Sequence, residues 1–276
     1  MNVEEVKVCI LRIEGTNCEE ETYRAFQRSG ASPEVVHLKQ LLGQDTRADE
    51  ARKLSDYHIL VIPGGFSSGD YVRAGAILAA RMKSGMEDEL AEFIEEGKPV
   101  MGICNGFQIL VELGVLPGVE STISRYPTAS LGWNDSGRFE CRPTLLRNWN
   151  SGKCIFTRKL ERGQIIQAPS AHAEGKFMLP KDREKEMLDL LEDNDQIVFR
   201  YVDADGQIAG YPWNPNGSLY NIAGICNSEG NVFGMMPHPE RTYFGFQQAD
   251  WTRKKPTNGD GRVIFESVLD YVTKSF

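Results

Sequence analysis

The sequence lacks an apolar run of membrane-crossing length, which takes about 20 consecutive apolar residues for a helix. Its opening, MNVEEVKVCILR, sets two acids before the first apolar run and reads as the start of a strand, not a secretory leader. It also lacks an excess of positive charge. Against 31 Lys and Arg stand 39 Asp and Glu, and a net charge of -8 gives no field that would draw nucleic acid or an anionic membrane. The short basic run Arg253-Lys254-Lys255 reads as a solvated loop. No CxxC pair occurs among cysteines 9, 18, 104, 141, 154 and 226, so no metal site and no redox dithiol is expected. A reduced, cytoplasmic protein follows as the simplest expectation. There is no P-loop and no dinucleotide fingerprint. The stretch PGGFSSGD lacks the Lys-Ser/Thr of the one and the G-x-G-x-x-G spacing of the other, so this chain is not expected to hold ATP. Repeats, low-complexity segments and Gly/Ser/Pro linkers are also missing, which predicts one domain over 1–276.

What is present reads as α/β. The first half alternates strand-like and helix-like segments: VKVCILRI, NCEEETYRAFQRSG, PEVVHL, DYHILVIPGG, EDELAEFIEEG, KPVMGI and NGFQILVELG. Such alternation predicts a mostly parallel sheet flanked by helices. The second half carries shorter strands of mixed direction, GRFECRPTLL, GQIIQAPSAH, QIVFRYV, YNIAGICN and GNVFGMMPH, and a closing helix, GRVIFESVLDYVTKSF. The charged stretch PKDREKEMLDLLEDND is predicted to be an exposed helix or insertion.

One turn carries chemistry. Val100, Met101 and Ile103 are strand residues, and Phe107, Leu110, Val111 and Gly114 fall on one helix face, so Cys104 sits at a strand-to-helix junction. Gly102 and Gly106 flank it two residues either side, a spacing that permits a sharp turn and lifts the thiol out of the sheet. The helix N-terminus adds free N–H groups and a positive dipole end. Cys104 is therefore read as a nucleophile, while Cys9 and Cys226, inside strand runs, read as packed side chains, and Cys18, Cys141 and Cys154 give no reason to depart from that. A base must come from four histidines. His37 and His58 fall in strand patterns. His238 follows an apolar strand, and Pro239 pushes it toward extended backbone. Glu240, two residues on, would project to the same side and orient the imidazole. Gly64 and Gly65 end a strand; one of their N–H groups, or that of Phe66, is expected to pair with the N–H of Asn105 as an oxyanion hole.

These residues resemble a family. Gly102 to Gln108, GICNGFQ, is similar to the G-x-C-x-G-x-Q signature of class I, triad-type glutamine amidotransferases, and His238-Pro239-Glu240 to their H-x-E end. The blocks GTNCEEET (15–22), PGGFSSGDYVRAGAI (63–77), NDSGRFECR (134–142), AHAEGKF (171–177) and NPNGS to HPER (214–241) resemble most closely the glutaminase subunits of phosphoribosylformylglycinamidine synthase. The resemblance implies a flavodoxin-like three-layer fold and hydrolysis of L-glutamine to glutamate and ammonia through a thioester on Cys104, with His238 and Glu240 completing the triad. It further implies that Gln108, His172 and Gly175 bind glutamine. A separate synthetase subunit would bind formylglycinamide ribonucleotide, ATP and Mg, with a small accessory subunit as a further partner. The blocks SSGDYVRAGAI and NPNGS would either contact the synthetase or serve as structural loops. Ser68, Ala173 and Lys176 depart from the expected Tyr, Gly and Arg, and 178–196 is longer than in compact members. The rival functions are a glutaminase subunit for pyridoxal phosphate or histidine synthesis, a PfpI-type peptidase or stress protein, and a non-catalytic subunit.

Overall fold

A computed structural model describes residues 1–44, 47 and 50–276. The elements of the first half are β1 (Lys7–Arg12), α1 (Glu19–Arg28), β2 (Ser32–His37), a single-turn α2 (Leu38–Leu41), β3 (Ile59–Ile62), α3 (Ala76–Glu95), β4 (Val100–Ile103) and α4 (Asn105–Glu112). The second half adds β5 (Ser130–Trp133), β6 (Glu140–Asn148), β7 (Ile165–His172), β8 (Glu174–Met178), α5 (Glu184–Asp193), β9 (Ile197–Val202), β10 (Ile222–Cys226), β11 (Val232–Met235), α6 (Trp251–Lys254) and α7 (Arg262–Ser275).

Nine strands form one sheet in the order β2-β1-β3-β4-β11-β10-β9-β6-β7, and β5 pairs with β8 apart from it. From β2 to β11 every pairing is parallel; from β11 to β7 every pairing is antiparallel. This is the expected sheet, parallel through the first half of the chain and mixed in the second. The reason lies in the connections: β10 reaches β11 through a short turn, which permits only antiparallel pairing, whereas β3 reaches β4 through α3. Strands β3, β4, β9, β10 and β11 are buried at every position, which is why they read as continuous apolar runs without alternation. The core runs without a break through both halves of the sheet.

Two helices differ from expectation. α3 begins at Ala76, well before the apolar pattern of EDELAEFIEEG; a non-helical backbone at Met86 divides it, and the predicted stretch is the part after the break. α5 was expected to be exposed, yet Met187 and Leu191, one turn apart, are buried against the core. Among the described residues no helix is long and apolar enough to cross a membrane.

Candidate active site

Three adjacent parallel strands deliver the site. Ile62 of β3 pairs with Gly102 of β4, and Ile103 of β4 with Met235 of β11. The chain leaving β3 reaches Gly64 and Gly65, that leaving β4 reaches Cys104, and that leaving β11 reaches His238. All three turns lie at the carboxyl ends of neighbouring strands, where open α/β sheets bind their ligands.

Cys104 has φ 52° and ψ −106°, a strained backbone for a residue with a side chain. Its N–H donates to Met235 O at 2.8 Å, which ties the turn to β11. The flanking glycines are required by contact. A Cβ on Gly106 would stand 1.8 Å from Ile62 O, and one on Gly102 would stand 2.5 Å from Gly106 O. The thiol is 6 % exposed, and its S–H donates to Ala171 O at 3.7 Å.

His238 is buried, with its N–H donated to Pro169 O at 2.8 Å. Its Nδ1 lies 2.6 Å from Glu240 Oε1. The pairing is the expected one, but the route is not. His238 is extended, and Glu240 then returns on a 3-10 turn over Pro239–Thr242, not on extended backbone. Burial alone would lower the proton affinity of the imidazole; the charges of Glu240 and Cys104 and the nearby sulfur of Cys18 outweigh it and raise the pKa well above the ordinary histidine value. His238 Nε2 and Glu240 Oε2 are buried and meet no partner among the described residues.

Cys18, read above as a packed side chain, also reaches the imidazole. Its Sγ lies 4.0 Å from His238 Nδ1 and accepts from Arg241 Nη2 at 3.1 Å. Gly64 makes room for this convergence, since a Cβ there would be 2.8 Å from His238 Cε1 and 3.1 Å from Cys18 Sγ. Cys18, His238 and Glu240 are the cluster of metal-ligand atom types found among the described residues. A guanidinium already seated on the sulfur and a bond already joining His238 to Glu240 make it a poor seat for a second cation. Only the position of Cys18 in the block GTNCEEET pointed toward the site.

The pocket wall assembles around α4. Asn105 Oδ1 accepts from Ser67 N at 3.1 Å, and its Nδ2 donates to Gln108 Oε1 at 3.0 Å. Gln108, whose plainer reading was an exposed helix position, is buried and donates to Glu174 O. Asp70, at the cavity edge, has its pKa raised, chiefly by burial. The N–H of Phe66 donates to Gly15 O at 2.8 Å, which removes it from the expected oxyanion donors; the N–H groups of Gly65 and Asn105 donate to no group among the described residues. Phe66 instead borders a small cavity together with Gly65, Cys104, Gln108 and His172. Gly175 does not line it. A Cβ on Gly175 would be 2.6 Å from the His172 ring, and its carbonyl accepts from Asn216 Nδ2. A larger cavity, about 540 Å³, lies at the opposite ends of β4 and β11. No cysteine or histidine is among its lining residues, and the amides of Asn227 and Asn231 there are bonded within the chain.

A cysteine elbow between two obligatory glycines, an H-x-E pair beside it and a mixed α/β sheet define a class I glutamine amidotransferase. Comparison with known proteins narrows the class. Residues 5–272 match the family model of the CobB/CobQ-like glutamine amidotransferase domain. The chain is 54% identical over 276 residues to phosphoribosylformylglycinamidine synthase subunit PurQ of Archaeoglobus fulgidus, covering 99% of this chain and 100% of that one. It is 44% identical to the same subunit of Picrophilus torridus, over 94% of this chain and 96% of that one. The solved structure of PurLQS from Thermotoga maritima superposes with a TM-score of 0.71 at 33% identity, over 97% of this chain and 99% of that one. The chain belongs to the PurQ family, the glutaminase subunits of phosphoribosylformylglycinamidine synthase in purine biosynthesis. The rivals in other pathways and the PfpI-type reading are thereby set aside.

Proposed function

We propose that Cys104, His238 and Glu240 carry the glutaminase reaction. Cys104 Sγ attacks the carboxamide carbon of L-glutamine, and the developing oxyanion is held by the N–H groups of Gly65 and Asn105. His238 takes the thiol proton and gives it from Nε2 to the departing ammonia, leaving a γ-glutamyl thioester. The same imidazole then takes a proton from water, which attacks the thioester carbon; the C–S bond breaks, glutamate leaves, and the proton returns to Cys104 Sγ. Glu240 holds Nδ1 and stabilises the imidazolium that forms in each half-reaction. Gln108 closes the pocket toward the amino-acid end of the substrate. The observation that carries this reading is the unpartnered Nε2 of His238 beside the elbow cysteine, since buried polar atoms without partners are rare and mark function.

The ammonia goes to a synthetase subunit that binds formylglycinamide ribonucleotide and uses ATP with Mg, and a small accessory subunit completes the assembly. The Thermotoga maritima relative is PurLQS, which supports such an association for this chain. Large apolar side chains stand exposed near the cavity, Phe66 and Phe139 with rings 6.4 Å apart and Tyr71 next to Asp70, a surface suited to a protein partner. The chain itself carries no cofactor in this scheme, works in the cytoplasm, and forms one domain over 1–276.

The test is glutamate release from glutamine, with and without the synthetase and its nucleotide substrate. The expected result is stimulation by the partner and a loss of at least about a thousandfold in Cys104→Ala. Equal turnover by the alanine variant would remove Cys104 from the mechanism.

A further inference from the structure

His172 adds a second imidazole to the pocket, and the argument about it rests on the glutaminase reading above. The residue is 3 % exposed. Its Nδ1 lies 3.1 Å from Asn134 Oδ1. The Asn134 amide cannot be turned round. Its Nδ2 already donates to Arg138 O at 2.9 Å and to His172 O at 2.8 Å, and neither carbonyl could face an amide oxygen. The atom facing the ring is therefore an oxygen, which only accepts, so Nδ1 carries the ring proton. Nε2 is left with a lone pair. It is buried and meets no donor among the described residues, and such an atom calls for a partner from outside them. Burial, with the charge of His238 behind it, holds the ring neutral, its pKa pulled down to about 3, so a second N–H does not form there near neutral pH.

The position of the ring says which partner. His172 and Cys104 border the same cavity. The adjacent carbonyl, Ala171 O, is the one that accepts the Cys104 S–H. The ring is therefore at the reacting end of the pocket, and Gly175 leaves just the space it fills.

We infer that His172 Nε2 accepts an N–H of the substrate carboxamide and thereby makes the pocket select glutamine over glutamate. A carboxamide nitrogen offers two N–H donors; a carboxylate offers none. Glutamate bound in the same pose sets an oxygen lone pair and a negative charge against the Nε2 lone pair in a dry site, where that contact is most unfavourable. The bond lasts as long as the nitrogen remains, so it favours the substrate and the departing ammonia and disfavours the acid product.

Two variants, with His172→Leu as the apolar control, each assembled with the synthetase, test this. His172→Asn keeps a group near Nδ1 for Asn134 but removes the acceptor at Nε2; His172→Gln reaches the Nε2 position with an amide oxygen. The KM for glutamine and the inhibition constant of glutamate are measured for each, with a thermal unfolding curve. In His172→Asn the ratio of glutamate inhibition constant to glutamine KM is expected to fall by about tenfold or more, and His172→Gln to recover most of it. The pH profile of kcat/KM should keep the same limbs in both, because the ring is neutral throughout. An unchanged ratio in a folded His172→Asn protein overturns the inference. So does an equal weakening of glutamine and glutamate, which would place the contact on the α-ammonium group, or a lost limb of the pH profile. If His172→Asn fails to fold, His172→Gln decides: a ratio reduced as far as that of His172→Leu overturns the inference. Turnover surviving Cys104→Ala would sink the glutaminase reading, whereas an unchanged ratio beside an inactive Cys104→Ala variant removes this inference alone.

Discussion

At the scale of single residues, the site stores unfavourable features that the fold sustains. Cys104 sits at positive φ, and His238 Nε2, Glu240 Oε2 and His172 Nε2 are all buried without partners. The two histidines are driven in opposite directions. The negative charge of Glu240 and the two sulfur neighbours raise the proton affinity of His238 despite burial, while burial and the charge of His238 lower that of His172, which faces an amide. That difference has a thermodynamic consequence. A histidine whose pKa is about 3 folded and about 6.5 unfolded lets the unfolded chain bind more protons between those values, so stability rises with pH across that window. His172 is expected to cost up to about 1.4 kcal/mol of stability for each pH unit of acidification below about 6.5. Denaturant titrations from pH 7 to 4 should therefore show a flatter acid limb in His172→Gln than in the native chain. Parallel limbs would show that His172 is protonated as easily folded as unfolded.

At the scale of elements, the pocket wall depends on a loop that the sequence left between two readings. Asn216 and Ser218 of NPNGS are buried, and Asn216 Nδ2 donates to Gly175 O at 2.8 Å while its Oδ1 accepts from Ser218 Oγ at 2.7 Å. Ser218 Oγ in turn accepts from Phe177 N at 3.0 Å, so the loop braces β8. Asn216→Ala is expected to lose about 1–3 kcal/mol of stability and to raise the KM for glutamine more than it lowers kcat. Chemical denaturation and steady-state kinetics check both; a KM unmoved beside a clear stability loss would detach the brace from the pocket. This buttress was not legible beforehand, because a polar loop gives no periodic signal and its buried amides are recognised only from their partners. The buried strands and the elbow were legible, since period, glycine spacing and the break before Asn105 are local. β8 was hidden for the opposite reason: GKFM is short, and its partner β5 is contributed by a distant segment. Cys18 was misjudged because a lone cysteine near a helix start looks like packing until Arg241 and His238 are seen beside it.

At the scale of the whole molecule, the parallel-to-antiparallel change at β11 is what makes the site. β11 belongs to the second half of the chain yet pairs in parallel with β4 of the first, so its carboxyl end lands beside the elbow. The glycine spacing around Cys104 and the His238-Pro239-Glu240 pattern already suggested the pairing of nucleophile and base, and the resemblance agreed with it; only the sheet order explains how chain segments so far apart meet. The central claim is that this meeting produces a thioester on Cys104. Rapid quenching of the synthetase-bound chain during glutamine turnover, followed by peptide mass spectrometry, measures it most directly. A γ-glutamyl adduct on the peptide holding Cys104, absent from Cys104→Ala, is the expected result. An adduct on another cysteine, or ammonia production with no adduct dependence on residue 104, would contradict the account.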